Sequence, residues 1–114
     1  MFDTVIKGGT IFGQGYQRIG DIGITGESIK EIKFDGSLEG VQVIDATGKL
    51  VFPGFIDPHV HIHLPFMGTN AIDNHESATK AALVGGTTTI IEMICPGPDD
   101  EPANAFAEWK GLAE

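Results

Sequence analysis

Hydrophobic and polar positions change rhythm once along this 114-residue chain, at Pro53-Gly54. Before that point, β-branched and apolar residues come in short runs separated by turn residues. Thr4–Lys7 and Thr10–Phe12 flank Gly8-Gly9, a pattern that predicts a hairpin. Asp21–Thr25 alternates apolar with small or polar positions, and Gly26-Glu27 turns the chain into Ser28–Lys33. Gln42–Asp45 and Lys49–Phe52 flank a further turn at Ala46-Thr47-Gly48. Short strands at this spacing predict a small β-sandwich or meander. The segment shows no helical period and no catalytic motif. Asp21, Glu27, Glu31 and Asp45 read as solvated charges on turns and strand faces.

After Pro53-Gly54 the runs lengthen. Phe55–His61 reads as a first buried strand, and Leu64–Asn70 as a loop marked by Pro65 and Gly68. Asp73 is a helix N-cap by type, with Glu76 three residues on as its capping-box partner. Ala78, Ala81 and Ala82 form a small-residue stripe at helical spacing, which Gly85-Gly86 ends. Thr87–Ile94 is β-branched and nearly continuous, as a parallel strand covered on both faces would be. Pro96, Gly97 and Pro98 break it. A second helix follows over Ala103–Ala113, with Pro102 at or near its first position and Phe106, Trp109 or Lys110, and Ala113 on one side. Residues 1–52 are thus a β-rich segment, and residues 53–114 read strand, helix, strand, helix, the opening of an α/β fold with parallel strands. A (β/α)8 barrel takes ~250 residues. Two such units leave a sheet uncovered, so a fragment of a longer chain is expected.

Composition narrows the partners. Hydrophobic content of 41% fits a globular chain, and a net charge of −9 disfavours nucleic acid and anionic membrane surfaces. No run reaches the ~18 apolar residues of a membrane span. Asp3 and Lys7 interrupt the start of the chain, so no signal peptide is predicted. With a single cysteine, Cys95, no internal disulfide is available, and the cytoplasm is the expected compartment. Cys95 ends an apolar run with no basic neighbour in sequence and reads as a small buried hydrophobe.

The candidate chemistry lies in Phe52–His63, where His59, His61 and His63 alternate with Val60 and Ile62. Side chains on a strand alternate faces, so His59 and His61 project together. Neutral imidazole nitrogen binds Zn²⁺ at roughly 2.0–2.1 Å. Spacing alone leaves two readings open, a metal-ligating pair or strand histidines without a ligand. Pro65 follows His63 closely, which places His63 in a loop.

The stretch Pro53-Gly54-Phe55-Ile56-Asp57-Pro58-His59-Val60-His61 resembles the Asp-x-His-x-His signature of the amidohydrolase superfamily. Leu64–Thr69, Thr79–Leu83 and Gly85–Ile91 are similar to its cyclic amidase branch, and most similar to the dihydropyrimidinase and hydantoinase family. The resemblance implies a (β/α)8 TIM barrel preceded by half of a small β-sandwich, with only the first two β/α units present here. It implies two zinc ions per complete site, or another divalent metal, with His59 and His61 as ligands of the more buried one. Asp57 would support the strand end without touching metal. Leu64, Phe66 and Met67 would form part of the substrate-side wall. The bridging carboxylated lysine, two further histidines and the proton-moving aspartate of the family would come from further along, so no catalytic residue is expected within these 114.

The implied reaction opens a cyclic amide or ureide ring to an N-carbamoyl amino acid. Dihydropyrimidines and hydantoins are the favoured substrates, followed by those of allantoinase and dihydroorotase. The competing reading is a non-catalytic, oligomer-forming relative that has lost metal ligands, and the presence of both His59 and His61 favours the enzyme lineage. The complete protein would be a homodimer or homotetramer, and the 114-residue chain alone inactive. Phe55, His75 and Glu92 depart from the family pattern, which has glycine, an aromatic and aspartate there. His75 reads as a surface residue at a helix start.

Overall fold

The computed structural model describes residues 1–114, which form two compact units, Met1–Pro53 and Gly54–Glu114. In the first unit β1 (Phe2–Gly13), β2 (Tyr16–Thr25), β3 (Ser28–Lys33), β4 (Gly40–Asp45) and β5 (Leu50–Val51) make one sheet. Its order is β3-β2-β1-β4, with β5 also on β1. β1, β2 and β3 pair antiparallel in succession, whereas β4 and β5 run parallel to β1. A meander has no parallel neighbours, so that expectation is corrected. Residues 34–39 instead carry the chain from one sheet edge to the other, since β3 and β4 lie at opposite ends of the order.

Gly8-Gly9 does not make a hairpin. β1 runs straight through it, and its register against β2 slips by one residue between Ile6 and Gly9. Gly8 takes φ +72°, the left-handed conformation that a glycine bulge uses. A β-carbon on Gly9 would come within 2.5 Å of Val51 Cγ2, so the neighbouring strand also requires glycine there. Double glycine signals a turn and a bulge equally well, and the long-range pairing decides between them.

The bulge directs the Gly8 N–H onto Asp21 Oδ1 at 3.0 Å. Asp21 is therefore not a solvated charge. It is 1% exposed, its Oδ2 accepts from the Leu38 N–H at 3.4 Å, and Lys7 Nζ lies 3.7 Å away. Lys7 in turn donates to the carbonyls of Gly36 and Leu38 at 3.0 and 2.9 Å. One buried carboxylate thus joins the bulge, β2 and the crossing segment, beside a core of Val5, Ile11, Ile22, Leu38 and Ala46.

In the second unit β6 (Phe55–Val60) pairs in parallel with β9 (Thr87–Glu92), and α1 (His75–Val84) connects them. The sequence from Pro102 to Ala113 forms α2. The expected loop holds a small hairpin, β7 (Pro65–Phe66) and β8 (Thr69–Asn70). Met67 and Gly68 make its tip with φ +50° and +79°, the two positive values a tight hairpin turn needs. α1 is capped by Asn74 and not by Asp73. The Asn74 side chain accepts from Ser77 N at 2.9 Å, and Ser77 Oγ accepts from Asn74 N at 3.2 Å. Ser77, not Glu76, completes the capping box, and Asp73 accepts from Ser77 Oγ. Adjacent Asp and Asn are both capping types, and the extended backbone of Asn74 selects it.

β6 is not buried here. Phe55 is 55% and Ile56 64% exposed, because β9 is the strand's sole partner. The buried stripe of α2 is Ala105 and Trp109, four apart, while Phe106 points outward.

Candidate metal centre at the end of strand β6

The ladder between β6 and β9 pairs Asp57 with Ile90 and Val60 with Glu92, a one-residue slip. Pro58 lies in this slip and has no N–H to give to a ladder. The Asp57 carboxylate takes up the local slack by accepting from the His59 N–H at 3.1 Å. His59 lies within the slip and His61 just past it, and their rings face each other with Nε2 atoms 3.2 Å apart and ring planes inclined at 59°.

A 3.2 Å separation suits a hydrogen bond from one ring to the other. It also suits two lone pairs directed at one ion, because tetrahedral zinc holding two nitrogens at its usual length separates them by about 3.3–3.4 Å. The donor set therefore fits two ligand positions. It is not a complete site, since no group of three or more His, Cys, Asp or Glu side chains is arranged to hold a metal ion.

Cys95 lies beside this pair. β9 ends at Glu92, so Cys95 falls in the irregular segment beyond it, exposed, with Sγ 3.5 Å from His61 Nδ1 and 3.6 Å from the Met93 carbonyl. The expectation of a buried hydrophobe is corrected. His63 lies outside the strand with φ +54°, and its N–H donates to the Asp73 carbonyl at 3.1 Å. Leu64 is half-buried, while Phe66 and Met67 stand exposed on the β7–β8 hairpin.

His75 and Glu92, seventeen positions apart and both singled out as departures from the family pattern, meet in the structure. His75 Nε2 lies 2.7 Å from Glu92 Oε2, with side chains only 14% and 16% exposed. His75 is thus not a surface residue. The other carboxylate oxygen, Oε1, accepts from the Ile62 N–H at 3.1 Å. A cleft of about 610 Å³ runs past this pair, lined by Asn74, Thr79 and Ile90 among others, and it does not include His59 or His61. Sequence spacing gave no sign of the pair. Only the packing of the start of α1 against the end of β9 brings it together.

Comparison with known proteins agrees with the motif. The Amidohydrolase family matches residues 42–91. Dihydropyrimidinase of Dictyostelium discoideum is 40% identical over 96% of this chain, which spans 22% of that protein. Dihydropyrimidinase-related protein 5 of Homo sapiens is 39% identical over 96% of the chain and 20% of its own length. The D-hydantoinase (dihydropyrimidinase) of Thermus sp. superposes with a TM-score of 0.88 at 51% identity, covering 97% of this chain and 24% of that one. The chain belongs to the amidohydrolase superfamily, in its dihydropyrimidinase/hydantoinase branch, and matches the N-terminal quarter or so of full-length members. Its mixed sheet and two helices are consistent with an N-terminal portion of a larger α/β barrel-type hydrolase, and the barrel is not closed by these residues.

Proposed function

We propose that this chain supplies the first two metal ligands of a cytoplasmic, zinc-dependent hydrolase that opens cyclic amides such as dihydropyrimidines and hydantoins. The observation that carries this reading is the convergence of His59 and His61 Nε2 at 3.2 Å. The names of its relatives support the substrate class, and the remaining ligands belong to parts of the whole protein beyond these residues. When bound, zinc supplies Lewis-acid polarisation of a ring carbonyl and a water acidified toward neutrality. The chain's own part is to hold and orient. His59 and His61 present their Nε2 atoms side by side at the end of β6. Asp57 fixes the backbone of His59. Leu64, Phe66 and Met67 offer apolar surface to the substrate's side. The first β-unit would be half of a sandwich, and the complete protein would assemble as a dimer or tetramer.

The test uses the intact protein. About two zinc per chain and ring opening of dihydrouracil or hydantoin are expected. His59→Ala and His61→Ala should each abolish hydrolysis and lower zinc content while the fold is retained by circular dichroism. The 39% identity to a dihydropyrimidinase-related protein motivates the second reading, a non-catalytic assembly protein. An intact protein that neither takes up zinc nor opens either ring would decide for it.

A further inference from the structure

We propose that Glu92 and His75 form a positioning clamp that sets the placement of His61, and through it the affinity of the metal centre. The clamp rests on the reading of His59 and His61 as zinc ligands, but its geometry stands on its own.

His61 is bracketed. On one side the Met93 N–H donates to the Val60 carbonyl at 2.9 Å, and on the other the Ile62 N–H donates to Glu92 Oε1 at 3.1 Å. The partners are Glu92, the last residue of β9, and Met93, the next one, so two adjacent residues grip the backbone immediately before and immediately after His61. Backbone ladder bonds cannot supply the second grip. β6 has ended at Val60, and the chain turns away through a left-handed His63, a conformation unfavourable for a non-glycine residue. The side chain of Glu92 replaces the missing ladder bond. Ile62 itself is buried at 4% exposure, so its N–H needs this partner.

A carboxylate on a three-torsion side chain is a poor anchor unless its far oxygen is held too. His75 holds it, from the first turn of α1, at 2.7 Å. The result is a relay from α1 through Glu92 to the backbone beside His61, with the Glu92 carboxylate engaged by Ile62 and His75. Residue 75 would thus tune metal retention without touching metal, as supporting hydrogen bonds around metal ligands do.

The experiment compares Glu92→Leu, Glu92→Gln and His75→Phe in the intact protein. Two readouts are taken. One is hydrogen–deuterium exchange of the peptide containing Ile62, measured on metal-free protein. The other is the rate of zinc transfer to a chromophoric chelator. Glu92→Leu should speed exchange of that peptide and hasten zinc loss about 10-fold or more. Glu92→Gln keeps an acceptor for Ile62 and should recover most of both losses. His75→Phe should fall between them. If Glu92→Leu lowers the melting temperature but leaves peptide exchange and zinc release at parental values, the pair is a plain structural brace and the clamp is wrong. If Glu92→Leu does not fold, His75→Phe decides, and parental values for it in both readouts overturn the proposal. Failure of the parent protein to take up zinc would sink the metal-centre reading alone, because the exchange comparison still reports on the clamp.

Discussion

Two carboxylates show how the two units differ. In Met1–Pro53, Asp21 is fully enclosed and accepts from the amides of Gly8 and Leu38, with Lys7 beside it. In Gly54–Glu114, Glu92 accepts from one amide, Ile62, and meets a histidine at the margin of an open cleft. Asp21 ties two pieces of backbone that the sheet ladder leaves loose, the bulge and the crossing segment, to β2. Glu92 steadies one strand end that carries candidate ligands. A charge is retained in the first case for architecture and in the second for aim. The surrounding packing agrees. Five of the eight buried apolar residues belong to the first unit, while β6 in the second exposes most of Phe55 and Ile56.

Truncation should separate the two roles. Asp21→Ala leaves two amides without their acceptor and Lys7 without its counter-charge. We expect a loss of about 2–4 kcal/mol in urea unfolding. Amide exchange should speed up most at Gly8 and Leu38. An Asp21→Ala protein of parental stability would mean that water replaces the carboxylate, and the architectural role would be lost. A smaller effect tests the second unit's own local order. Asn74→Ala removes the acceptor for Ser77 N and should cost about 1 kcal/mol, read as a fall in melting temperature. Asp73→Ala should cost less, since Asp73 bonds only the Ser77 hydroxyl. The reverse order would restore Asp73 as the cap.

The smallest effect belongs to an exposed turn of the first unit. Hydrogen bonds from the Thr47 side chain, and then from its backbone N–H, hold the Asp45 carboxyl below its ordinary value of 3.8. A carboxyl depressed by folding contributes stability that is complete above its unfolded value. That contribution fades as pH falls from about 3.8 through the lowered folded value. An NMR titration of the Thr47 amide should therefore show a midpoint below 3.8, and Thr47→Ala should raise it. A midpoint unmoved by Thr47→Ala would remove the stated cause.

Local chemistry was legible in the sequence, and contacts between distant segments were not. Proline at the start of α2, the left-handed Gly86 after α1 and the strand–helix–strand order of the second unit are settled by each residue's own backbone preferences. Strand alternation pointed to the pairing of His59 with His61, but β6 stops at Val60, so His61 reaches its partner from one residue past the strand. Gly8-Gly9 failed as a hairpin because its conformation answers to β4 and β5, more than thirty residues away in sequence. Asp21 failed for the same reason, since its partners Gly8 and Leu38 lie thirteen and seventeen positions away on either side. Cys95 was misplaced because β9 stops before it, and no spacing rule links it to His61. The His75–Glu92 contact depends on the start of α1 lying over the end of β9, which no pattern within either element specifies.

The bonds on either side of the histidines have a thermodynamic consequence. Asp57 fixes the backbone at His59, and Glu92 fixes it at Ile62. The intervening residues therefore lose most of their chain freedom when the unit folds. Ordering a backbone residue costs about 1–2 kcal/mol. A ligand arriving at His59 and His61 finds that entropy already removed, so its binding energy goes into the contact itself rather than into ordering the chain that makes it.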